Sequence, residues 1–79
     1  MSNLEKLNRI FCEIFSVEEA ALDNAFNKDN VAGWDSVRQL SLTMAVEEAF
    51  DIMLDVEDIL ECTSYNNVKA ILVKYGIEN

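Results

Sequence analysis

The stretch GWDSVRQLSLTMAVEEAFDI, residues 33–52, decides how the rest of this chain is arranged. It starts as a turn at Gly33, offers a hydroxyl at Ser36, and continues without a further Gly or Pro. A run with so few helix breakers predicts a long second helix from about Ser36 to Phe50. Asp35 or Ser36 is suited to cap the N-terminus of this helix.

The predicted second helix carries two apolar faces. At about 100° per residue, Val37, Leu40 and Met44 share a narrow face with acidic residues around it. Because a helix in a small bundle needs only one buried stripe, this narrow face predicts a docking surface for partners with basic rims. The alternative is that it lies under the preceding loop and belongs to the core. The acidic residues are Glu47, Glu48 and Asp51, and the broader, core-type face consists of Leu42, Ala45, Val46, Ala49 and Phe50.

A first helix precedes this stretch, and a long irregular segment joins the two. Ser2 and Glu5 fit a capping box. Ser16 and Glu19 are expected to cap a short turn over residues 17–22, after which turn-forming residues dominate. The first helix shows a helical stripe of Leu4, Leu7, Ile10, Phe11, Ile14 and Phe15. The apolar residues expected to tie the loop onto the helices are Leu22, Phe26 and Val31.

Two further helices follow the second one. Asp55 is suited to cap a short third helix over residues 56 to 60 or 61. Thr63 or Ser64 caps a last helix, which Gly76 ends. The inner stripe of that last helix is Val68, Ile71, Leu72 and Tyr75. The sequence therefore predicts an all-α fold, a small four-helix bundle of three main helices plus a short third helix. A long loop joins helices I and II, and residues 1–79 form a single domain.

Composition excludes several classes of function. The 79 residues include 15 acidic and 6 basic side chains, for a net charge of −9. The chain therefore lacks the basic patch that binds nucleic acid or anionic membranes. Its acidity either steers it towards basic protein surfaces or only keeps it in solution. The absence of His and the distance between Cys12 and Cys62 exclude a structural zinc site, and the loop fails the ligand spacing of a calcium site.

No segment predicts export or membrane insertion. The N-terminus lacks a basic region followed by an apolar run, and no apolar run is long enough to span a bilayer. We therefore expect a monomeric cytoplasmic protein with both thiols free. We expect Cys12 to be a small filler at the edge of the first helix's apolar stripe, because nothing near it in sequence would activate a reactive thiol.

Ser36 is the side chain whose position suggests chemistry. As a catalytic nucleophile it would need a base within reach, and the chain has no His. We therefore predict no catalytic residue and no enzyme activity. At a helix N-terminus, free N–H groups and the helix dipole favour an anion, so a phosphoryl group esterified to Ser36 is well placed. Asp35 would help to hold a divalent metal during such a transfer. The alternative is that Asp35 and Ser36 only cap the helix.

The residues around Ser36 form a longer pattern. Trp34-Asp35-Ser36-Val37, the apolar positions that follow, and Glu47-Glu48-Ala49-Phe50-Asp51-Ile52 together resemble the acyl carrier protein family. The signature of that family is Asp-Ser-Leu at the head of the second helix, then an apolar and acidic stretch ending near Glu-Glu-x-Phe-x-Ile. The resemblance covers nearly the whole chain, because the other helices, the long loop, the length and the acidity also fit.

The resemblance implies a carrier with a covalent cofactor. Ser36 would bear a 4′-phosphopantetheine arm donated from coenzyme A by a phosphopantetheinyl transferase, with Asp35 in a supporting role. The thiol of the arm would hold an acyl group as a thioester, so the protein would be a carrier and not a catalyst. The partners implied are the transferase and the acyl-loading and acyl-processing enzymes, with basic docking surfaces. The face offered to them would comprise Val37, Leu40, Met44, Glu47 and Glu48.

Four positions depart from the family pattern and leave the cargo open. Val37 replaces the usual Leu, and Trp34 stands where fatty-acid carriers usually have a small residue. Arg38 and Ser41 stand where those carriers often have acids. A carrier for fatty-acid or polyketide synthesis and a specialised carrier, such as an aminoacyl carrier of the D-alanyl type, therefore remain alternatives. A reading from another class is an unmodified acidic helical interaction module.

A carrier of this kind also needs somewhere to shelter its cargo. The inward faces of the predicted helices suggest a modest cavity between them. Its expected lining is Leu42, Val46, Ile59 and Leu72.

Overall fold

The computed structural model of the protein describes residues 2–77, which form a small all-α bundle. Its helices are α1 (Asn3–Phe15), α2 (Ser36–Phe50), α3 (Val56–Glu61) and α4 (Tyr65–Lys74). A short 3₁₀ helix (Glu19–Ala21) lies in the long loop between α1 and α2. The predicted fold class, with its short third helix and long first loop, is confirmed. Within residues 2–77 no helix has the length and apolar character needed to cross a membrane.

The first helix begins as predicted, but Ser16, which follows it, has a different role from the one expected. Ser2 and Glu5 form the capping box in both directions. Ser16 terminates α1 in a left-handed conformation (φ 55°), and its N–H donates to the Cys12 carbonyl. The prediction that Ser16 caps the next turn is therefore wrong, because an N-cap residue needs extended backbone. The 3₁₀ helix instead follows Glu18, which is extended and makes no side-chain cap hydrogen bond.

A cluster of aromatic rings forms one end of the core. Phe11 is fully buried at its centre. Its ring centroid lies 5.3 Å from that of Tyr65, 5.8 Å from that of Phe26 and 6.1 Å from that of Trp34. Phe15 stacks on Phe11 at 5.9 Å. Because Phe26 and Trp34 come from the long loop, this cluster fastens the loop to α1 and α4 and confirms Phe26 as a buried anchor.

Main-chain hydrogen bonds tie the same loop to the junction between α3 and α4. The Lys28 N–H donates to the Thr63 carbonyl at 2.8 Å, and the Tyr65 N–H donates to the Phe26 carbonyl at 2.9 Å. The Tyr65 hydroxyl donates to the Asn8 amide oxygen inside the core. Ser64 caps α4 by accepting from the Asn67 N–H at 2.9 Å. The long loop is therefore held by its aromatic side chains in the core and by main-chain hydrogen bonds to the junction between α3 and α4.

The short helix α3 is held against α4 by one buried carboxylate. Asp58 accepts from the ammonium of Lys74 at 2.9 and 3.1 Å and from the hydroxyl of Tyr75. That hydroxyl in turn accepts the N–H of Asp55 at 3.0 Å, at the start of α3. The hydrogen bond from Tyr75, followed by that from Lys74, holds the pKa of the Asp58 carboxyl below its ordinary value.

We expect Asp58→Asn to lower the melting temperature by about 5 °C or more at pH 7. A depressed carboxyl pKa stabilises the fold above the ordinary pKa, near 4, and this contribution disappears as pH falls through the native pKa. The difference between variant and wild type should therefore shrink on acidification below about pH 4. Thermal melts followed by circular dichroism at several pH values measure it.

Glu57→Gln is the matched control, because Glu57 is an exposed acid on the same helix. It should melt within about 3 °C of wild type. A gap between Asp58→Asn and wild type that stayed the same from pH 7 to pH 3 would contradict the assignment of Asp58 as the titrating group.

Candidate functional site

Ser36 is exposed at the first position of α2, and its hydroxyl is not used to cap the helix. Asp35 is the N-cap: its Oδ1 accepts the Arg38 N–H at 2.7 Å, and its carbonyl accepts the Gln39 N–H at 2.9 Å. Within residues 2–77 the N–H groups of Ser36 and Val37 have no hydrogen-bond acceptor. The positive end of α2 therefore offers a free hydroxyl beside two free N–H groups.

The turn that carries Ser36 rests on a buried indole. Trp34 packs against Phe15 with ring centroids 4.6 Å apart. Its Nε1–H donates to Gln39 Oε1 at 3.3 Å, and Gln39 Nε2–H donates to the Ile59 carbonyl at 3.2 Å. This relay joins the loop, α2 and α3. It gives the large residue at position 34 a structural role.

Arg38 braces the same turn from the other side. Its Nε–H donates to the Ile14 carbonyl at 3.2 Å, and its Nη1–H donates to the Gly33 carbonyl at 3.0 Å. Ile14 lies in the last turn of α1, where unpaired carbonyls favour a cation. Nη1 also lies 3.9 Å from Asp35 Oδ2. Sequence reasoning treated Arg38 only as a change in surface charge and missed this role, because its partner lies 24 positions away.

A groove of about 410 Å³ opens beside Ser36, between the loop, α2 and α3. Of the four residues expected to line a cavity between the helices, Ile59 alone lines this groove, and the interior cavity stays a prediction. Leu42, Val46 and Leu72 are buried members of the hydrophobic core. Interior side chains close-pack in small domains and leave few voids. The residues that line the groove are Lys28, Ser36, Gln39, Leu40, Ile59, Leu60 and Thr63.

The narrow apolar face of α2 is open to solvent. Val37 is 73% exposed, Leu40 55% and Met44 59%. The alternative that the preceding loop covers this face is therefore excluded. Glu48 is exposed beside it. Glu47 is half-buried, and its Oε2 accepts the Leu54 N–H at 2.9 Å, so it also secures the segment after α2.

The buried face of α2 differs in detail from the predicted core stripe. Leu42 and Val46 are buried as expected, but Ala49 is exposed and Thr43 is buried. The Thr43 hydroxyl donates to the Leu40 carbonyl at 2.9 Å, which satisfies it inside the core. A hydroxyl that bonds within its own helix can thus occupy a position that pattern analysis assigns to polar surface.

Apolar exposure continues from α2 onto α3. Val56 and Leu60 are 73% and 67% exposed, and Met53 in the connecting segment is also exposed. The sequence predicted the range of this short helix but not that Val56 and Leu60 face solvent. The helix α3 has only six residues, which is too short for an apolar stripe of several turns. Of its three apolar residues, only Ile59 packs partly against the core. The sequence signal that could have indicated this exposure is their apolar character, which is the same as that of the exposed face of α2.

The two cysteine thiols do not compete with Ser36 as reactive groups. Both are free, Cys12 half-buried and Cys62 buried. Burial, with smaller contributions from Asp58 and Glu61, raises the pKa of Cys62 to about 11. Burial and nearby glutamates also raise the pKa of Cys12. A raised thiol pKa reduces the thiolate, which is the nucleophilic form.

The features of this site fit a slender anionic group attached through an ester. An exposed hydroxyl stands at a helix N-terminus with free N–H groups, and a groove with apolar walls runs beside it. The family model described as the phosphopantetheine attachment site matches residues 5–72, which is well over half of the chain. In this family 4′-phosphopantetheine is attached covalently, and the domains act as carriers that interact with a phosphopantetheinyl transferase and with biosynthetic enzymes. The chain belongs to the phosphopantetheine attachment-site family of carrier proteins.

Proposed function

We propose that this protein carries acyl intermediates of fatty-acid, polyketide or related biosynthesis on a 4′-phosphopantetheine arm esterified to Ser36. The observation that supports this most directly is the exposed Ser36 hydroxyl at the head of α2, on the edge of the groove. Once attached, the arm supplies a terminal thiol that forms thioesters with acyl groups. The side chains of the protein position the arm and present it to partners.

The attachment step uses Ser36 as the nucleophile. Its Oγ forms a bond to the phosphorus that bears the pantetheine in coenzyme A, and the bond from that phosphorus to the adenosine bisphosphate breaks. The hydroxyl proton leaves to a base of the transferase. Asp35 keeps one carboxylate oxygen on the helix cap, at 2.7 Å from the Arg38 nitrogen. Its other oxygen is the one we assign to the divalent cation of the transfer, since magnesium prefers oxygen ligands.

The open face of α2 is the surface we assign to partner enzymes. Val37, Leu40 and Met44 form an apolar centre beside the attachment residue. Glu47 and Glu48 give this centre an acidic edge on a chain whose net charge is −9. An apolar centre with a charged rim of one sign suits partners with a matching basic rim. Glu48 is the more available of the two acids, because Glu47 also holds the Leu54 N–H.

We expect Met44→Glu to raise the KM of the transferase for this protein about tenfold while leaving kcat nearly unchanged. A charge at the centre of an apolar contact costs roughly 1–2 kcal/mol of binding. Ser36 remains chemically intact in this variant. Steady-state kinetics of arm transfer measure the effect.

Ala49→Glu is the control for Met44→Glu, because it adds the same charge to an exposed position on a different face of α2. It should leave KM within about twofold of wild type, since an exposed position outside the contact contributes little. Equal effects of the two variants would place the docking surface elsewhere.

The experiment that tests the proposed function follows the mass of the intact protein. Wild type is incubated with coenzyme A and a transferase, then with an acyl donor and a loading enzyme. We expect one arm per chain and then one acyl group, with both masses on the peptide that contains Ser36. A chain that gains no arm would be an unmodified interaction module. An arm that accepts amino acids and no fatty or polyketide acyl group would assign the aminoacyl alternative.

A further inference from the structure

Of the described residues that line the groove beside Ser36, Lys28 is the single basic one. Among residues 2–77 no carboxylate lines this groove, although acidic residues outnumber basic ones in the chain by 15 to 6. The backbone of Lys28 is fixed, because its N–H donates to the Thr63 carbonyl at 2.8 Å. Lys28 and Ser36 therefore line the same groove, and the backbone from which the lysine side chain extends is held in place.

Lys28 also differs from most other basic residues in having no assigned partner. Of the six basic residues, Lys74 pairs with Asp58, and Arg38 braces the turn before α2. Lys6 and Lys69 lie over aromatic rings, at 5.9 and 4.8 Å from the centroids. Within the described part of the chain, Lys28 makes neither an ion pair nor a side-chain hydrogen bond.

We propose that Lys28 is the counterion of the phosphodiester that attaches the arm to Ser36, and that it holds the arm along the groove towards α3. This inference rests on the proposed attachment at Ser36. A phosphodiester carries one negative charge, and a lysine ammonium suits it as a compact, mobile point charge. The walls contributed by Ile59 and Leu60 would then contact the apolar part of the arm.

The consequence is a positioning role for Lys28. With the cation present, the arm spends more time along the groove and less in solvent. Without it, an anion attached to a strongly acidic protein has no nearby positive side chain in the groove. Because the pair is exposed to solvent, its effect is modest, about a two- to fivefold change in the population of the held arm.

Nuclear Overhauser effects test this in the arm-bearing protein. The arm is transferred from ¹³C-labelled coenzyme A, and cross-peaks from its methyl groups to the methyls of Ile59 and Leu60 are measured at low salt. We expect Lys28→Gln to weaken these cross-peaks about two- to fivefold and Lys28→Glu to weaken them more. Lys28→Arg should retain them, and high salt should weaken them in wild type.

Arg9→Gln is the control for net charge, because it removes an exposed cation from α1, away from the groove-lining residues. It should leave the cross-peaks unchanged. Spectra of the unmodified variants should match wild type outside the substituted site, since Lys28 contributes only its backbone to the fold. Cross-peaks that are absent in wild type, or equal in wild type and Lys28→Gln, would overturn the role of Lys28. A wild-type chain that takes up no arm, by mass, would overturn the attachment proposal as well.

Discussion

Ser36→Ala is expected to gain no phosphopantetheinyl mass under conditions in which wild type is fully converted. The substitution removes the only atom that forms the proposed ester, so the effect should be complete rather than partial. Alanine is the most favourable helix residue, and Ser36 is exposed at the first position of α2. The fold should therefore survive, with Asp35 still capping the helix through the Arg38 N–H. Intact mass and circular dichroism together measure loading and folding.

Ser41→Ala is the matched control for Ser36→Ala. Ser41 is also an exposed serine on α2, one and a half turns further along. Its loss should leave the mass gain unchanged. A folded Ser36→Ala protein that still gained one arm would exclude Ser36 as the attachment residue. Loss of the arm in Ser41→Ala would contradict the assignment of Ser36 as the serine on which attachment depends.

Phe11→Ala is expected to lower the free energy of unfolding by about 3–5 kcal/mol. A domain of this size has a total stability of roughly 4–12 kcal/mol, so much of the protein should unfold in mild denaturant. The ring of Phe11 is fully buried and lies against those of Phe26, Trp34 and Tyr65. Its removal leaves a cavity at the point where α1, the loop and α4 meet.

Urea unfolding followed by circular dichroism measures this loss. Val37→Ala is the control, because Val37 is 73% exposed and its truncation should change stability by no more than about 0.5 kcal/mol. A loss of less than about 1 kcal/mol in Phe11→Ala would show that the surrounding rings collapse into the space, and that this cluster is not what holds the loop.

The helices themselves were largely predictable from the sequence, because their signals are local. The capping box of Ser2 and Glu5, the start of α2 after Asp35 and the cap at Ser64 all depend on residues within one turn of each other. Ser16 is the exception. Its side chain fits an N-cap, but its backbone is taken by the end of α1. A choice between ending one helix and starting the next depends on backbone geometry that residue type alone does not specify.

In the candidate site, too, local features were predictable from the sequence and contacts between distant residues were not. The position of Ser36 at a helix start and the second apolar face behind it follow from spacing along one helix. The brace from Arg38 to Ile14 and the relay from Trp34 through Gln39 to α3 do not, because they join residues on different elements. A hydrogen bond across 20 or more positions exists only after the helices have packed.

By itself, the sequence determined the number and order of the helices, the acidity, the absence of a histidine base and the serine at the head of α2. The tertiary structure decided that Val37, Leu40 and Met44 face solvent, and that Lys28 shares a groove with Ser36. The physical reason is the distance along the chain over which each kind of interaction acts. Capping and periodicity act within a few residues, whereas burial and the shape of a groove depend on how distant elements fit together.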